Sequence, residues 1–256
     1  MKPIGLHAVE SGAGDAVVLV HAIGCDHRMW DSLAAALSPQ FRVIRVDVRG
    51  HGQSPVPAGP YSLDELADDV VAVLDKRGLA RAHWVGLSMG GMIGQAFALA
   101  HPDRLHRLVL ANTTSAYGPD GARLWDARIK AVTEGGMAAI VETVMGRYFS
   151  DEFRETHPEI VAQFRARVLS TPVKGYVACC AALRELDFTR DLPRIRARTM
   201  VIAGEKDAGT PVAMSEEIVR HIPGAQLAVI PRAAHLSAVE DASEFNALAR
   251  AFLTEP

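Results

Sequence analysis

Gly86-Leu87-Ser88-Met89-Gly90 places a serine between two glycines. A serine hydroxyl is a weak nucleophile until a neighbouring base takes its proton, so the pentapeptide is a catalytic mount only in the right setting. Here it follows the apolar run Ala82-His83-Trp84-Val85 directly and leads into a helical stretch. This is the strand, tight turn and helix in which G-x-S-x-G holds a nucleophile above a sheet. The turn forces the serine backbone into a strained conformation, and side chains two positions to either side would collide with the adjoining strand and helix. At the helix N-terminus the dipole and free amides favour a developing anion, so the Met89 amide is an expected oxyanion donor. A glycine-rich turn without function could carry the same five letters; its partners decide.

The partners come in chain order. The run Thr199-Met200-Val201-Ile202-Ala203 ends in Gly204-Glu205-Lys206-Asp207, which puts a carboxylate just beyond the C-terminal edge of a strand, where sites in open α/β sheets form. Gln226-Leu227-Ala228-Val229-Ile230 is followed by Pro231-Arg232-Ala233-Ala234-His235, which offers a general base. Alone, Asp207 would suit a surface turn and His235 a solvated loop. Ser88, Asp207 and His235, each after a β-run, follow the order of the α/β-hydrolases. A fourth segment agrees: Ala16-Val17-Val18-Leu19-Val20 ends in His21-Ala22-Ile23-Gly24, the place for a second oxyanion amide, that of Ile23. His51 is a weaker base candidate because it precedes the acid, and Asp47 to Ser54 reads as structural support beneath the site.

These residues need a sheet to hold them. Continuous apolar runs, to which Arg42–Val46 and Arg107–Ala111 also belong, alternate with helical stretches, as in a mostly parallel sheet with helices on both faces. Ser62-Leu63-Asp64-Glu65 is a capping box opening a helix to about Gly78, with Leu66, Val70, Val73 and Leu74 at helical spacing. A second helix follows Ser88 and ends before Pro102, and a last one covers Ser243 to Leu253. From Tyr117 to Asp191 the β-runs stop. Helical patterns at Arg123–Val132, Gly136–Phe149, Pro158–Leu169 and Gly175–Leu186 follow one another there, so residues 117–191 are expected to form a helical lid inserted between core parts 1–116 and 192–256.

The bulk properties narrow the partners. The chain has 256 residues, which suits one core with a lid, and 49% hydrophobic with 22% charged residues fits a globular protein. A net charge of -3 argues against nucleic acid. No apolar run approaches the roughly 20 residues of a bilayer helix. Met1 to His7 lacks an apolar signal region and reads as the start of mature cytoplasmic sequence. Three cysteines, two of them adjacent, make no disulfide framework, and the scattered histidines have no metal-ligand spacing. Neither a metal nor a cofactor is expected.

The chain also resembles one family across nearly its whole length. Asp47-Val48-Arg49-Gly50-His51-Gly52, Gly86 to Gln95, Leu110-Ala111-Asn112-Thr113, Gly135-Gly136-Met137 and Tyr176 to Arg184 with its Cys179-Cys180 pair look like 3-oxoadipate enol-lactonases. The lid motif is more specific than the core motifs. The resemblance implies hydrolysis of 3-oxoadipate enol-lactone to 3-oxoadipate, a late step in bacterial aromatic catabolism. That substrate is a small anionic lactone, so the pocket needs a cation. Arg128, one turn from Trp125, is the lead candidate, with Arg147 and Arg184 in reserve; Trp125 and Trp30 could wall the pocket. Two departures stand out: Ala22 where many relatives have Gly, and no Pro directly after Asp207. Ser at position 88 argues against a haloalkane dehalogenase, which uses Asp. Another carboxylic-ester or lactone hydrolase, a perhydrolase, a C–C hydrolase and a non-catalytic receptor stay open as alternatives.

Overall fold

The computed structural model describes residues 2–255; Met1, first residue of the segment read as leader-free, and Pro256, last of the second core part, lie outside them. In chain order the elements are β1 (Ala8–Ser11), β2 (Asp15–Val20), α1 (Asp31–Leu37), β3 (Phe41–Val46), α2 (Leu63–Asp75), β4 (Ala82–Leu87), α3 (Met89–Ala100) and β5 (Leu105–Ala111). The helices α4 (Gly121–Gly135), α5 (Val141–Tyr148), α6 (Asp151–Thr156), α7 (Pro158–Ser170) and α8 (Val173–Arg184) follow, then β6 (Arg198–Gly204), α9 (Val212–His221), β7 (Gln226–Ile230), α10 (Ser237–Glu240) and α11 (Ala242–Thr254).

The strands form one sheet in the order β1-β3-β2-β4-β5-β6-β7. All pairings are parallel except β1 with β3, where Ala8 faces Val46 and Ser11 faces Val43. Val17 to Val20 and Leu108 to Ala111 are buried on both sheet faces, which explains why these strands read as unbroken apolar runs. The edge strand β1 was not foreseen. Ala-Val-Glu-Ser is short and half exposed, and pairing with β3 makes it a strand.

The capping box of α2 is present: Ser62 accepts from the Glu65 amide, and the Glu65 carboxylate accepts from the Ser62 amide. Such a cap contributes about 1 kcal/mol. Its apolar stripe, Leu66, Val70, Val73 and Leu74, is buried against the core. The helices α1 and α9 have no counterpart in the sequence reading. One is seven residues after a 3₁₀ turn and the other starts behind Pro211, so both lean on tertiary packing more than on local periodicity.

Where the lid is expected, the chain leaves and returns at one point: Ala116 pairs with Asp187 and the Phe188 amide donates to the Ser115 carbonyl at 2.9 Å. The helix expected over Gly136–Phe149 is divided into a 3₁₀ turn at Met137–Ala139 and α5, and α6 is an additional short helix capped by Ser150. Phe149 stacks on Phe153 at 5.1 Å and meets Phe164 edge-on at 5.4 Å, giving the lid a small core of its own.

Candidate active site

The Ser88 turn is built as its letters require. Ser88 has φ 57 and ψ -116, a backbone state costing on the order of 1–3 kcal/mol. It is held there from both sides: the Ser88 amide donates to the Ala111 carbonyl at 2.8 Å, and the Thr113 hydroxyl donates to the Ser88 carbonyl at 2.9 Å. A Cβ on Gly90 would run into the carbonyl of Val20, the last residue of β2, so this turn and the loop after β2 touch backbone to backbone. Met89 is the first residue of α3, and a first-turn amide has no carbonyl of its own helix to bind. Ile23 lies in the loop after β2, with its carbonyl accepting from the Tyr148 hydroxyl.

Asp207 follows β6 and His235 follows β7, so both stand at the same sheet edge as Ser88. His235 Nδ1 lies 2.8 Å from Asp207 Oδ2, with both side chains almost fully buried. The carboxylate is heavily supplied with donors. Asn112 Nδ2 (3.0 Å) and the Thr210 hydroxyl (2.7 Å) donate to Oδ2, while the Gly209 and Thr210 amides donate to Oδ1 at 2.8 and 3.0 Å. Burial alone would disfavour the charged acid, but the charge and hydrogen bond of His235, with the Thr210 amide and Asn112, hold it well below the usual carboxylate range.

Four further residues brace this arrangement. Asn112, at φ 43, donates to Asp207 and to the Ala234 carbonyl at 3.2 Å and accepts from the Ser237 hydroxyl at 2.5 Å. Thr210 occupies the loop that lacks the usual proline and supplies a hydroxyl to the acid instead. Tyr148, from lid helix α5, stacks its ring on His235 at 5.8 Å, and its carbonyl accepts from the Leu236 amide at 2.9 Å. Glu240 accepts from the Ala234 amide at 2.8 Å and from Ser150 at the start of α6. None of the four was singled out from sequence. The nearest sign in the sequence was the absence of a Pro directly after Asp207, in the loop that carries Thr210.

The other candidates separate cleanly. Arg128 Nη1 donates to the Tyr176 hydroxyl at 3.1 Å, and its guanidinium lies 5.8 Å from the Trp125 ring. Burial pulls Arg128 down, yet charge and hydrogen bonding with Tyr176 leave it raised. Trp125 is buried and meets Tyr117 edge-on at 5.4 Å. Trp30 is fully buried and packs against Phe245 of α11 in the core. Arg184 is engaged at the surface by Asp126 at 2.7 Å and by Glu185. His51 is fully buried and pushed down to about 3, first by burial and then by His21, so it stays neutral.

The supporting segment is tied in by a buried ion pair, Arg49 to Asp69 at 2.6 Å. Among the described residues, His7, His27 and Asp47 bring possible metal-ligand atoms within 4.8 Å of one another. His27 Nδ1 is hydrogen-bonded to Asp47 at 2.9 Å, and the amides of His27 and Gln53 also donate to that carboxylate. That carboxylate is thus already engaged by the protein on both oxygens.

Residues 15–242 match the model of the alpha/beta hydrolase fold. The chain belongs to the α/β-hydrolase family. This α/β hydrolase is 36% identical over 247 residues to 3-oxoadipate enol-lactonase 2 of Acinetobacter baylyi, covering 96% of its own length and 91% of the relative's. It is 31% identical to RutD of Stutzerimonas stutzeri, named provisionally as a carbamate hydrolase, over 98% of this chain and 96% of that one. Among solved structures, the enol-lactonase from Burkholderia xenovorans LB400 superposes with a TM-score of 0.94 at 35% identity, covering 98% of this chain and 96% of that one. Among the described residues no helix is long and apolar enough to cross a membrane.

Proposed function

We propose that this hydrolase opens 3-oxoadipate enol-lactone to 3-oxoadipate through a Ser88-His235-Asp207 triad. One observation carries the reading: a buried His235–Asp207 pair is tied to the Ser88 turn through the adjacent residues Asn112 and Thr113, with Tyr148 stacked on His235 and Arg128 held by Tyr176. Similarity to enol-lactonases over almost the entire chain supports it.

Ser88 Oγ attacks the lactone carbonyl while His235 takes its proton, and Asp207 fixes the imidazole tautomer and stabilises the cation. The amides of Ile23 and Met89 hold the oxyanion, each contributing roughly 10²–10³ in rate. Cleavage of the acyl–oxygen bond expels the ring enol oxygen, which takes the proton from His235 and relaxes to a ketone. Water, deprotonated by His235, then attacks the acyl-enzyme and restores Ser88. No step asks for a cofactor. Arg128 binds the substrate carboxylate, and Trp125 walls the pocket behind it. Cytoplasmic placement belongs to the same reading and is supported by three free, buried cysteines.

The test is comparative kinetics. The lactone should show a kcat/KM far above that of p-nitrophenyl acetate, and comparable or reversed values overturn the substrate. The similarity to RutD favours one second reading, hydrolysis of another small acyl substrate such as a carbamate by the same triad. In that case a carbamate panel would surpass the lactone.

A further inference from the structure

Most arginines fixed near this fold's surface have an acid. Arg184 pairs with Asp126 and Glu185, Arg165 with Glu142 and Arg154 with Asp151. Arg147, in the last turn of α5, is different. Its aliphatic stem runs against the acid loop, where a Cβ on Gly209 would come within 2.8 Å of its Cδ. Its neighbour Tyr148 stacks on His235, and Asp207, two residues before Gly209, is already committed to His235. On the other side of the site, Arg128 donates to the Tyr176 hydroxyl, and a Cβ on Gly24, next to Ile23, would lie 3.5 Å from the Tyr176 ring. Among the described residues, neither Arg128 nor Arg147 has an Asp or Glu within ion-pair distance.

Two half-buried guanidiniums flanking one site without a carboxylate of their own are costly, through lost hydration and like-charge repulsion. Burial, reinforced by Arg128, holds Arg147 below its ordinary value. Each guanidinium offers a planar fork of donors matched to a carboxylate. Arg147 stands beside the acid loop, and Arg128 lies between Tyr176 and Trp125.

We infer that Arg128 and Arg147 form a single two-cation site in the lid that takes ligands carrying two carboxylates. The inference rests on the reaction proposed above for one point, the identity of the natural ligand. The lactone has one free carboxylate; adding water across its acyl–oxygen bond creates a second, and the released proton goes to solvent. The ring-opened product therefore satisfies both arginines where the substrate satisfies one. The site holds product more tightly than substrate, and dicarboxylate release limits turnover as product accumulates.

The experiment uses adipate and hexanoate, which have the same six-carbon chain and differ by one carboxylate. Titration calorimetry on the whole protein should give adipate a Kd at least about tenfold below that of hexanoate, the scale of one added charge-assisted contact. Arg147→Gln and Arg128→Gln should each shrink that preference to under about threefold, and Arg184→Gln should leave it intact. Equal affinity of the two probes for the wild-type protein overturns the site without recourse to any variant. So does a preference that survives both substitutions in folded protein, as judged by its melting transition. No arm needs lactone turnover. Adipate preference without lactonase activity would remove only the substrate assignment, whereas lactonase activity without adipate preference would remove only the two-cation site.

Discussion

The sheet edge and the lid hold their functional residues by different means. At the edge, Ser88, Asn112 and Asp207 lie at most three residues beyond β4, β5 and β6, and the strand ladder continues past the strands themselves: the Asn112 amide donates to the Ile202 carbonyl at 2.8 Å. Backbone places these groups. In the lid region, Trp125 and Arg128 on α4 and Arg147 on α5 are placed by side chains, Tyr176 and Tyr117 among them. On the proposed function, chemistry is attached to the strand ends of the sheet and selectivity to a part whose contacts can be exchanged one at a time.

Substitutions can break or sharpen this division. The largest effect belongs to the edge: Ser88→Ala should lower kcat by about 10⁴-fold or more on every substrate while the melting temperature hardly moves. Considerable remaining hydrolysis would exclude Ser88 and with it the role given to the edge.

Tyr148 spans the two regions and probes the border. Tyr148→Phe keeps the ring on His235 and removes the bond to Ile23, whereas Tyr148→Leu removes both. About tenfold loss in kcat for Phe and up to about a hundredfold for Leu are expected, with the same order on lactone and neutral ester. A defect confined to lactone KM would place Tyr148 with the selectivity residues instead.

Arg128→Ala should raise the KM for the lactone by roughly ten- to a hundredfold, well beyond any change for a neutral ester. Equal changes for both substrates would dissolve the distinction between lid and edge.

The smallest effect is on acid stability. Asp207 and Asp26 are both held below their ordinary values, against the upward pull of burial, by His235 in one case and Arg28 in the other, and Asp26 is brought down to about 2. Depressed carboxyl groups stabilise the fold above their unfolded pKa of about 4, and that contribution is lost as the pH falls toward 2. Melting curves between these limits should show the decline, with a shallower slope in Asp26→Asn. An unchanged slope would mean that the Asp26–Arg28 contact is as weak as an exposed pair.

The edge was legible in the sequence because each of its residues announces itself locally: an apolar run, a short turn and a reactive side chain recur together at Ser88, Asp207 and His235. The braces were not, because they act across the chain. Asn112 meets Asp207 and Tyr148 meets Ile23 through contacts separated by 95 and 125 positions, and nothing local marks an asparagine or tyrosine for such a task. Trp30 shows the opposite failure. A tryptophan near a functional loop invited a pocket role, and its burial against Phe245 makes it core packing. The split of Gly136–Phe149 and the short α6 were missed for a related reason, since lid helices pack mainly on each other and their breaks follow partners the sequence does not display.

Gly90 gives one of these contacts a practical meaning. Its missing side chain brings the Ser88 turn against Val20, one residue before the loop that carries Ile23. The two amides assigned to the oxyanion thus share a single spacer, the thickness of one backbone resting on another. A methyl group at position 90 would act as a shim, moving Met89 and Ile23 apart without touching either. In a mutagenesis library this position would look inert by chemical class and lethal by geometry, and it gives a measure of how finely the anion site is gauged.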